Sequence, residues 1–214
     1  MSLQRVNDFN ISLKNIGKRF NRHWIFRHID YEFNIGNAYA ITGPNGSGKS
    51  TLLQIIAGAL THSEGSIQFI KNQSAIPTDK QYEQVSVCTP YLELIEELTL
   101  KEFFNFHIQF KPLIPGINIK FIAEYIGLKD AYNKQIRYYS SGMKQRIKLA
   151  QAIFSNVPVI LLDEPTSNLD AAGIDIYHQL INHYCTDRLL IVCSNSDDEI
   201  SFCKEQLDVL SFKI

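Results

Sequence analysis

The 214-residue chain lacks any apolar run long enough to span a membrane. Its longest apolar stretches, such as residues 157–162 and 189–193, reach five or six residues, where a spanning helix needs about 20. Residues 1–10 are polar and show no signal-type apolar region. Excess charge of one sign is also missing. With 21 basic and 22 acidic residues the formal net charge is −1, which excludes nucleic-acid binding by bulk charge and leaves room only for a local basic patch. Cysteine is scarce: Cys88, Cys185, Cys193 and Cys203 are scattered, form no CxxC pair, and two lie in apolar stretches. A disulfide framework is therefore not expected, whereas reduced, mostly buried thiols are. No internal repeat or low-complexity run is present. These absences lead us to expect a soluble protein inside the cell, reaching a membrane only through a partner.

What remains is an ordinary globular composition, 45% hydrophobic and 20% charged, unlike that of a disordered chain. The length suits one domain, or one domain with an inserted lobe, able to bury roughly 70% of its unfolded surface. Residues 11–20 and 24–33 are rich in β-branched and aromatic residues and read as strands around Asn21-Arg22-His23. Residues 38–42 read as a strand and 51–60 as a helix. Residues 66–70 and 85–88 read as further strands. From about residue 89 to 152 the character turns helical, over 94–110, 119–126 and 140–154, with Pro112 and Pro115 breaking the run. Strands at 157–162, 189–193 and 208–212 follow, alternating with helices at 173–184 and 197–203. Short apolar strands alternating with helices indicate a mostly parallel sheet covered on both faces.

The sharpest motif is Gly43-Pro44-Asn45-Gly46-Ser47-Gly48-Lys49-Ser50-Thr51. It fits GxxxxGK[ST] and stands between a strand and a helix, as a phosphate cradle must. Its glycines let backbone N–H groups turn inward around a phosphate chain. The helix beginning near Lys49 aims its positive end at the same anion. Lys49 is expected to reach the β- and γ-phosphates, and the Ser50 hydroxyl to ligate Mg²⁺. A chance match in a chain this long is about a 1% event.

Val159-Ile160-Leu161-Leu162-Asp163-Glu164 is four apolar residues followed by two carboxylates. Such a strand delivers Asp163 at its C-terminal edge, where open α/β sheets bind ligands. There Asp163 can hold Mg²⁺ through its water shell, and Glu164 can deprotonate an attacking water. Without the cradle about 110 residues earlier, a strand ending at a solvated acidic turn would explain the pattern equally well.

Tyr139-Ser140-Ser141-Gly142-Met143-Lys144-Gln145-Arg146 precedes that strand by about 20 residues. It resembles the signature motif of ATP-binding-cassette (ABC) ATPases, and Asp163-Glu164-Pro165-Thr166-Ser167-Asn168-Leu169-Asp170 resembles that family's second acidic motif running into its D-loop. The resemblance covers nearly the whole chain. Read on its own, the segment starts a helix where a hydroxyl, free N–H groups and a positive helix end converge, a second anion site; a plain serine cap is the simpler alternative. The resemblance implies a head-to-tail dimer in which ATP lies between one chain's Lys49 loop and the other's Ser140-Ser141-Gly142. It also places Asp170 at that seam and Phe20 against adenine, where stacking contributes about 1–3 kcal/mol. Trp24 competes for that role, and a core aromatic is the alternative for Phe20.

Two residues depart from the family pattern. Where the family has a glutamine opening the helical lobe, this chain has Thr89 or Pro90; where it has a histidine after the last core strand, this chain has Asn195. An asparagine can donate to a phosphate oxygen but cannot become cationic. Both changes are expected to slow hydrolysis and spare ATP affinity, leaving Glu164, Lys49 and Asn195 as catalytic candidates. His178 and His183 stand five apart, a spacing that does not make a metal site, and the phenylalanine stripe over 103–110 is expected in the core.

The resemblance thus implies an α/β fold: a RecA-like phosphate-loop core over about 1–89 and 153–214, an antiparallel β flank, and an inserted helical subdomain over about 90–152, with no further domain. It implies an ATP-hydrolysing transporter subunit using ATP and Mg²⁺, dimerising with itself or a related cassette. A groove lined by residues 92–100 would grip a transmembrane permease on the inner face of the cell membrane. No nucleic-acid partner is expected. A soluble ABC ATPase outside transport, and a nucleotide-gated module with very weak hydrolysis, are the alternatives.

Overall fold

Two runs of β-branched and aromatic residues pair with each other at the start of the fold. The computed structural model describes residues 8–213, so the polar segment at 1–7 and residue 214 lie outside the described residues. β1 (Phe9–Phe20) and β2 (His23–Asn34) form an antiparallel hairpin. Asn21 turns it at φ 53°, a left-handed conformation that asparagine tolerates. β3 (Ala38–Thr42) leads to α1 (Lys49–Ile56). β4 (Glu64–Lys71), β5 (Ser74–Ala75) and a 3₁₀ segment (Thr78–Gln84) lead to β6 (Val85–Cys88). Three helices follow: α2 (Leu100–His107), α3 (Ile119–Tyr125) and α4 (Ser141–Ile153). The chain then alternates through β7 (Val159–Asp163), α5 (Ala171–Tyr184), β8 (Leu189–Cys193), α6 (Asp197–Ile200) and β9 (Glu205–Asp208).

The strands form two sheets. One is antiparallel in the order β2-β1-β4-β5, and the other has the order β6-β7-β8-β3-β9. Every pairing in the second sheet is parallel. β7 and β8 are buried at every residue, as expected for strands covered on both faces. Alternate residues serve different interiors. Ile160, Leu162, Leu190 and Val192 join a cluster with Phe104, Ile147 and Tyr177 of the helices. Val159, Leu161, Leu189 and Ile191 join one with α1 and the β1–β2 hairpin, including Leu52, Phe26 and Phe33. Each such side chain contributes about 1.5–3 kcal/mol by leaving water. The fold is an α/β core with an antiparallel flank, and the helices α2–α4 lie between β6 and β7 in the chain.

Several expectations are corrected. The helix expected over 94–110 begins only at Leu100, where Thr99 and Glu102 cap it reciprocally; residues 92–98 are irregular, with a turn at 96–97. Phe103 and Phe104 are buried, but Phe106 and Phe110 are 44% and 70% exposed, because Phe106 lies on the outer face of the helix and Phe110 lies past its end at His107. The last strand is Glu205–Asp208, not 208–212. It is a polar edge strand, and the Asp208 side chain accepts from Leu210 N at 2.9 Å, turning the chain into a 3₁₀ segment. Cys88, Cys185 and Cys193 are buried free thiols and Cys203 is partly buried. Among the described residues no helix is long and apolar enough to cross a membrane.

Candidate functional site

The parallel register brings three strand ends together. Ile41 pairs with Cys193, and Asp163 pairs with Cys193 from the other side, so the turns after β3, β7 and β8 share one edge of the sheet. Residues 43–48 cross that edge before α1 begins. Gly48 has φ 110°, and a Cβ on it would stand 2.5 Å from Ile25 Cγ2 of β2; only glycine fits beneath the hairpin. Gly48 provides no side-chain cap for α1, which leaves N–H groups of its first turn to a ligand. Ser47 is 1% exposed and its hydroxyl has no hydrogen-bond partner. The buried Lys49 ammonium donates to the carbonyls of Gly43 at 2.6 Å and Pro44 at 3.4 Å. Orphaned donors and a cation folded onto its own loop make a cradle with an anion to gain.

Asp163 closes β7 at 2% exposure, and its Oδ1 lacks a hydrogen-bond partner. Burial raises the Asp163 carboxyl above the usual carboxylate range. The Ser50 hydroxyl and the Lys49 ammonium oppose the shift, while Glu164 and Glu199 add to it. A buried carboxylate of this kind is short of a cation. The oxygen donors Asp163 and Ser50 suit Mg²⁺, which takes one or two protein oxygens and completes its shell with water and phosphate. Among the described residues no group of three or more His, Cys, Asp or Glu side chains could hold a metal.

Glu164 follows at φ 43°, a conformation costing about 1–3 kcal/mol outside glycine. Its N–H donates to Cys193 O at 3.0 Å, which anchors the turn, and its side chain is exposed. It lines a cleft of about 260 Å³ with Asn45, Lys49, Thr166, Asn195 and Glu199. Asn195 lies over the cradle. Its Nδ2 donates to Gly43 O at 2.8 Å and its Oδ1 accepts from Gly43 N at 3.1 Å.

Glu199 is a residue that sequence reasoning missed. It is 4% exposed, and its Oε1 accepts from Thr166 N at 2.7 Å and Thr166 Oγ1 at 2.6 Å. Its only trace in the sequence is a third acidic residue in the first turn of α6, after Asp197 and Asp198.

At the signature segment, Ser140 caps α4, its Oγ accepting from Met143 N at 3.2 Å. The simple serine cap is therefore present, with the exposed Ser141 beginning the helix beside it. The buried Gln145 donates to Pro165 O at 2.8 Å, tying α4 to the turn after Glu164. Asp170 caps α5 by accepting from Gly173 N at 2.9 Å, and Arg146 Nη2 lies 3.7 Å from it. None of Ser140, Ser141 and Gly142 lines the Lys49 cleft. Ser141 instead borders a separate groove of about 670 Å³, with Pro90, Tyr91, Leu92, Lys144 and Lys148. Lys148 Nζ donates to Pro90 O at 2.8 Å across one end of it. Of the residues 92–100 expected to line a partner groove, Leu100 is fully buried in the core instead.

Phe20 is 47% exposed, with Lys18 Nζ 4.8 Å from its ring centroid, which rules out the core alternative. It is not among the residues lining the Lys49 cleft. The Trp24 ring carries the Arg27 guanidinium at 4.2 Å and that of Arg19 at 5.6 Å.

The family model described as ABC transporter matches residues 26–167. An uncharacterized ABC transporter ATP-binding protein, YdbJ of Bacillus subtilis (strain 168), is 33% identical over 77% of this chain and 53% of its own length. The thiamine import ATP-binding protein ThiQ of Yersinia pseudotuberculosis (serotype I, strain IP32953) is 29% identical over 89% of this chain and 85% of its own length. The chain thus spans about half the length of YdbJ. The solved structure of an ATP-binding subunit of an ABC transporter superposes with a TM-score of 0.77 at 19% identity, covering 92% of this chain and 85% of that one. At that identity the likeness speaks for the fold.

Proposed function

This chain belongs to the ABC transporter family, and from that premise we propose that it binds Mg·ATP in the cradle of residues 43–51 and hydrolyses it to energise transport. The observation that carries this is the pair of buried, partnerless oxygens, Ser47 Oγ and Asp163 Oδ1, at the edge where Lys49 also lies. Both are unsatisfied without a phosphate and a cation. Mg²⁺, when bound, would neutralise charge on the phosphates. Lys49 holds the terminal phosphates, Ser50 and Asp163 hold the cation, and Glu164 takes the proton of a water in the exposed cleft.

The signature segment and the Lys49 cleft open separately in one chain, which supports completion of each nucleotide site by a second copy or a related cassette. In that dimer Ser140, Ser141 and Gly142 face the partner's nucleotide, and Asp170 lies at the seam. The exposed Phe20 is the reading for the adenine contact. The groove beside Pro90 suits a cytoplasmic element of a membrane-spanning permease, placing the chain at the inner face of the membrane.

Turnover in the isolated chain is proposed to be slow, because Thr89 and Pro90 supply no amide side chain equivalent to glutamine and Asn195 is turned to Gly43. Single-turnover phosphate release with Mg·ATP tests this. Release at a rate typical of isolated family members refutes the slow step, and no binding of Mg·ATP refutes the function.

A further inference from the structure

The turn after β8 grips the cradle from above, and it is itself held firmly. Ser194 N donates to Ile41 O at 3.2 Å, Ser196 N donates to Ser194 Oγ at 2.9 Å, and Tyr177 OH of α5 donates to Glu199 O at 2.8 Å. Glu199 in turn holds both donors of Thr166, two residues past Glu164. From this anchored segment Asn195 reaches 152 positions back along the sequence to Gly43.

An asparagine amide presents the same donor–acceptor pair as a peptide group. Asn195 uses it on both polar groups of Gly43, in the manner of one rung of a sheet. Gly43 is the residue that most needs such support. It has φ 135°, a Cβ on it would lie 2.7 Å from Ser47 Oγ, and its carbonyl is also where Lys49 rests at 2.6 Å. The rung leaves Asn195 a single free N–H, whose direction is set by Gly43.

We infer that Asn195 is a positioning residue, which pins the phosphate loop through Gly43 and does not read the γ-phosphate. This rests on the nucleotide-binding reading above. It replaces the expectation that the asparagine affects hydrolysis but not affinity. A residue that shapes the loop supports any nucleotide with two or more phosphates equally, whereas a γ-phosphate sensor distinguishes ATP from ADP.

The test uses the full chain and the variants Asn195→Ala and Asn195→Asp, since Asn195 is exposed and its loss leaves the core intact. Asp keeps the size and the acceptor but loses the donor to Gly43 O. Titration with Mg·ADP and with a non-hydrolysable Mg·ATP analogue is expected to show both affinities falling by the same factor, about fivefold for each bond removed. Unchanged ADP affinity with a weakened analogue overturns the inference.

Amide hydrogen exchange on nucleotide-free protein gives a readout independent of the function. Exchange over residues 43–49 is expected to rise about tenfold in Asn195→Ala, with β3 and β7 unchanged. Unaltered exchange there overturns the inference even if nucleotide binding is confirmed. Faster exchange in a protein that binds neither nucleotide sustains the loop contact and overturns the function instead.

Discussion

Gly142 and Asn168 are in direct backbone apposition: a Cβ on Gly142 would stand 2.9 Å from the Asn168 carbonyl oxygen. Asn168 itself has φ 65°, so the chain has little freedom to retreat. The first turn of α4 and the loop after Asp163-Glu164 are therefore held as one surface.

Gly142→Ala is expected to push these two loops apart. The cost to folding is about 1–3 kcal/mol, as for other overpacked contacts. The larger effect falls on dimer formation with Mg·ATP, while the Lys49 cleft of the monomer keeps its affinity. Sedimentation of the variant with and without nucleotide checks this; an unimpaired ATP-dependent dimer would contradict it.

Glu164→Gln keeps the shape and removes the proposed base. Single-turnover phosphate release is expected to fall by about 10²–10⁴, and the protein with Mg·ATP should accumulate as a dimer measurable by light scattering. A variant that remains monomeric at saturating nucleotide argues against a shared site.

Ser47→Ala removes a buried hydroxyl that has no partner. Without nucleotide the variant is expected to be as stable as the parent or up to about 1 kcal/mol more stable, since an unsatisfied polar group is lost. Its thermal shift on adding Mg·ATP should shrink. Scanning calorimetry of both proteins, with and without ligand, shows whether the two effects run in opposite directions.

His107 makes folding sensitive to acid at a place remote from the chemistry. Its Nε2 lies 2.9 Å from Ser155 Oγ, which donates to Gln151 O at 2.6 Å. Ser155 has one hydroxyl proton, so His107 Nε2 is the donor in that bond. Burial, helped by Lys111, lowers its pKa to about 4, against about 6.5 in an unfolded chain. Between those values the unfolded state takes up a proton that the folded state refuses, so stability falls as pH drops from about 6.5 towards 4. The loss should reach about 2–3 kcal/mol. Urea titrations of parent and His107→Gln across that range check it; parallel pH profiles would assign the acid sensitivity elsewhere.

The parts of the site that were legible in the sequence are contiguous. The cradle, the apolar strand ending in Asp163-Glu164, and the segment around Ser140 are each written within nine residues or fewer. What stayed hidden lies in contacts set by parallel register. Asn195 meets Gly43, and Glu199 meets Thr166, only because β8 stands between β3 and β7. No local pattern encodes that order. The aromatic run around Phe106 misled for a different reason: helical periodicity tells which residues share a face, not where the helix stops or which face is covered. Thr99 and Glu102, a capping box, carried the true start of that helix.

The two-sided burial of β7 has a consequence for how the chain finds its alignment. A strand with one wet face is held in step by polarity, because sliding it by one residue would drown the wrong side chains. Here Val159 and Leu161 would trade interiors with Ile160 and Leu162, and oil would simply replace oil. Only Asp163 has a side of the sheet it cannot leave without losing its place at the edge. The Asp163 carboxylate thus also serves as the notch by which β7 is seated.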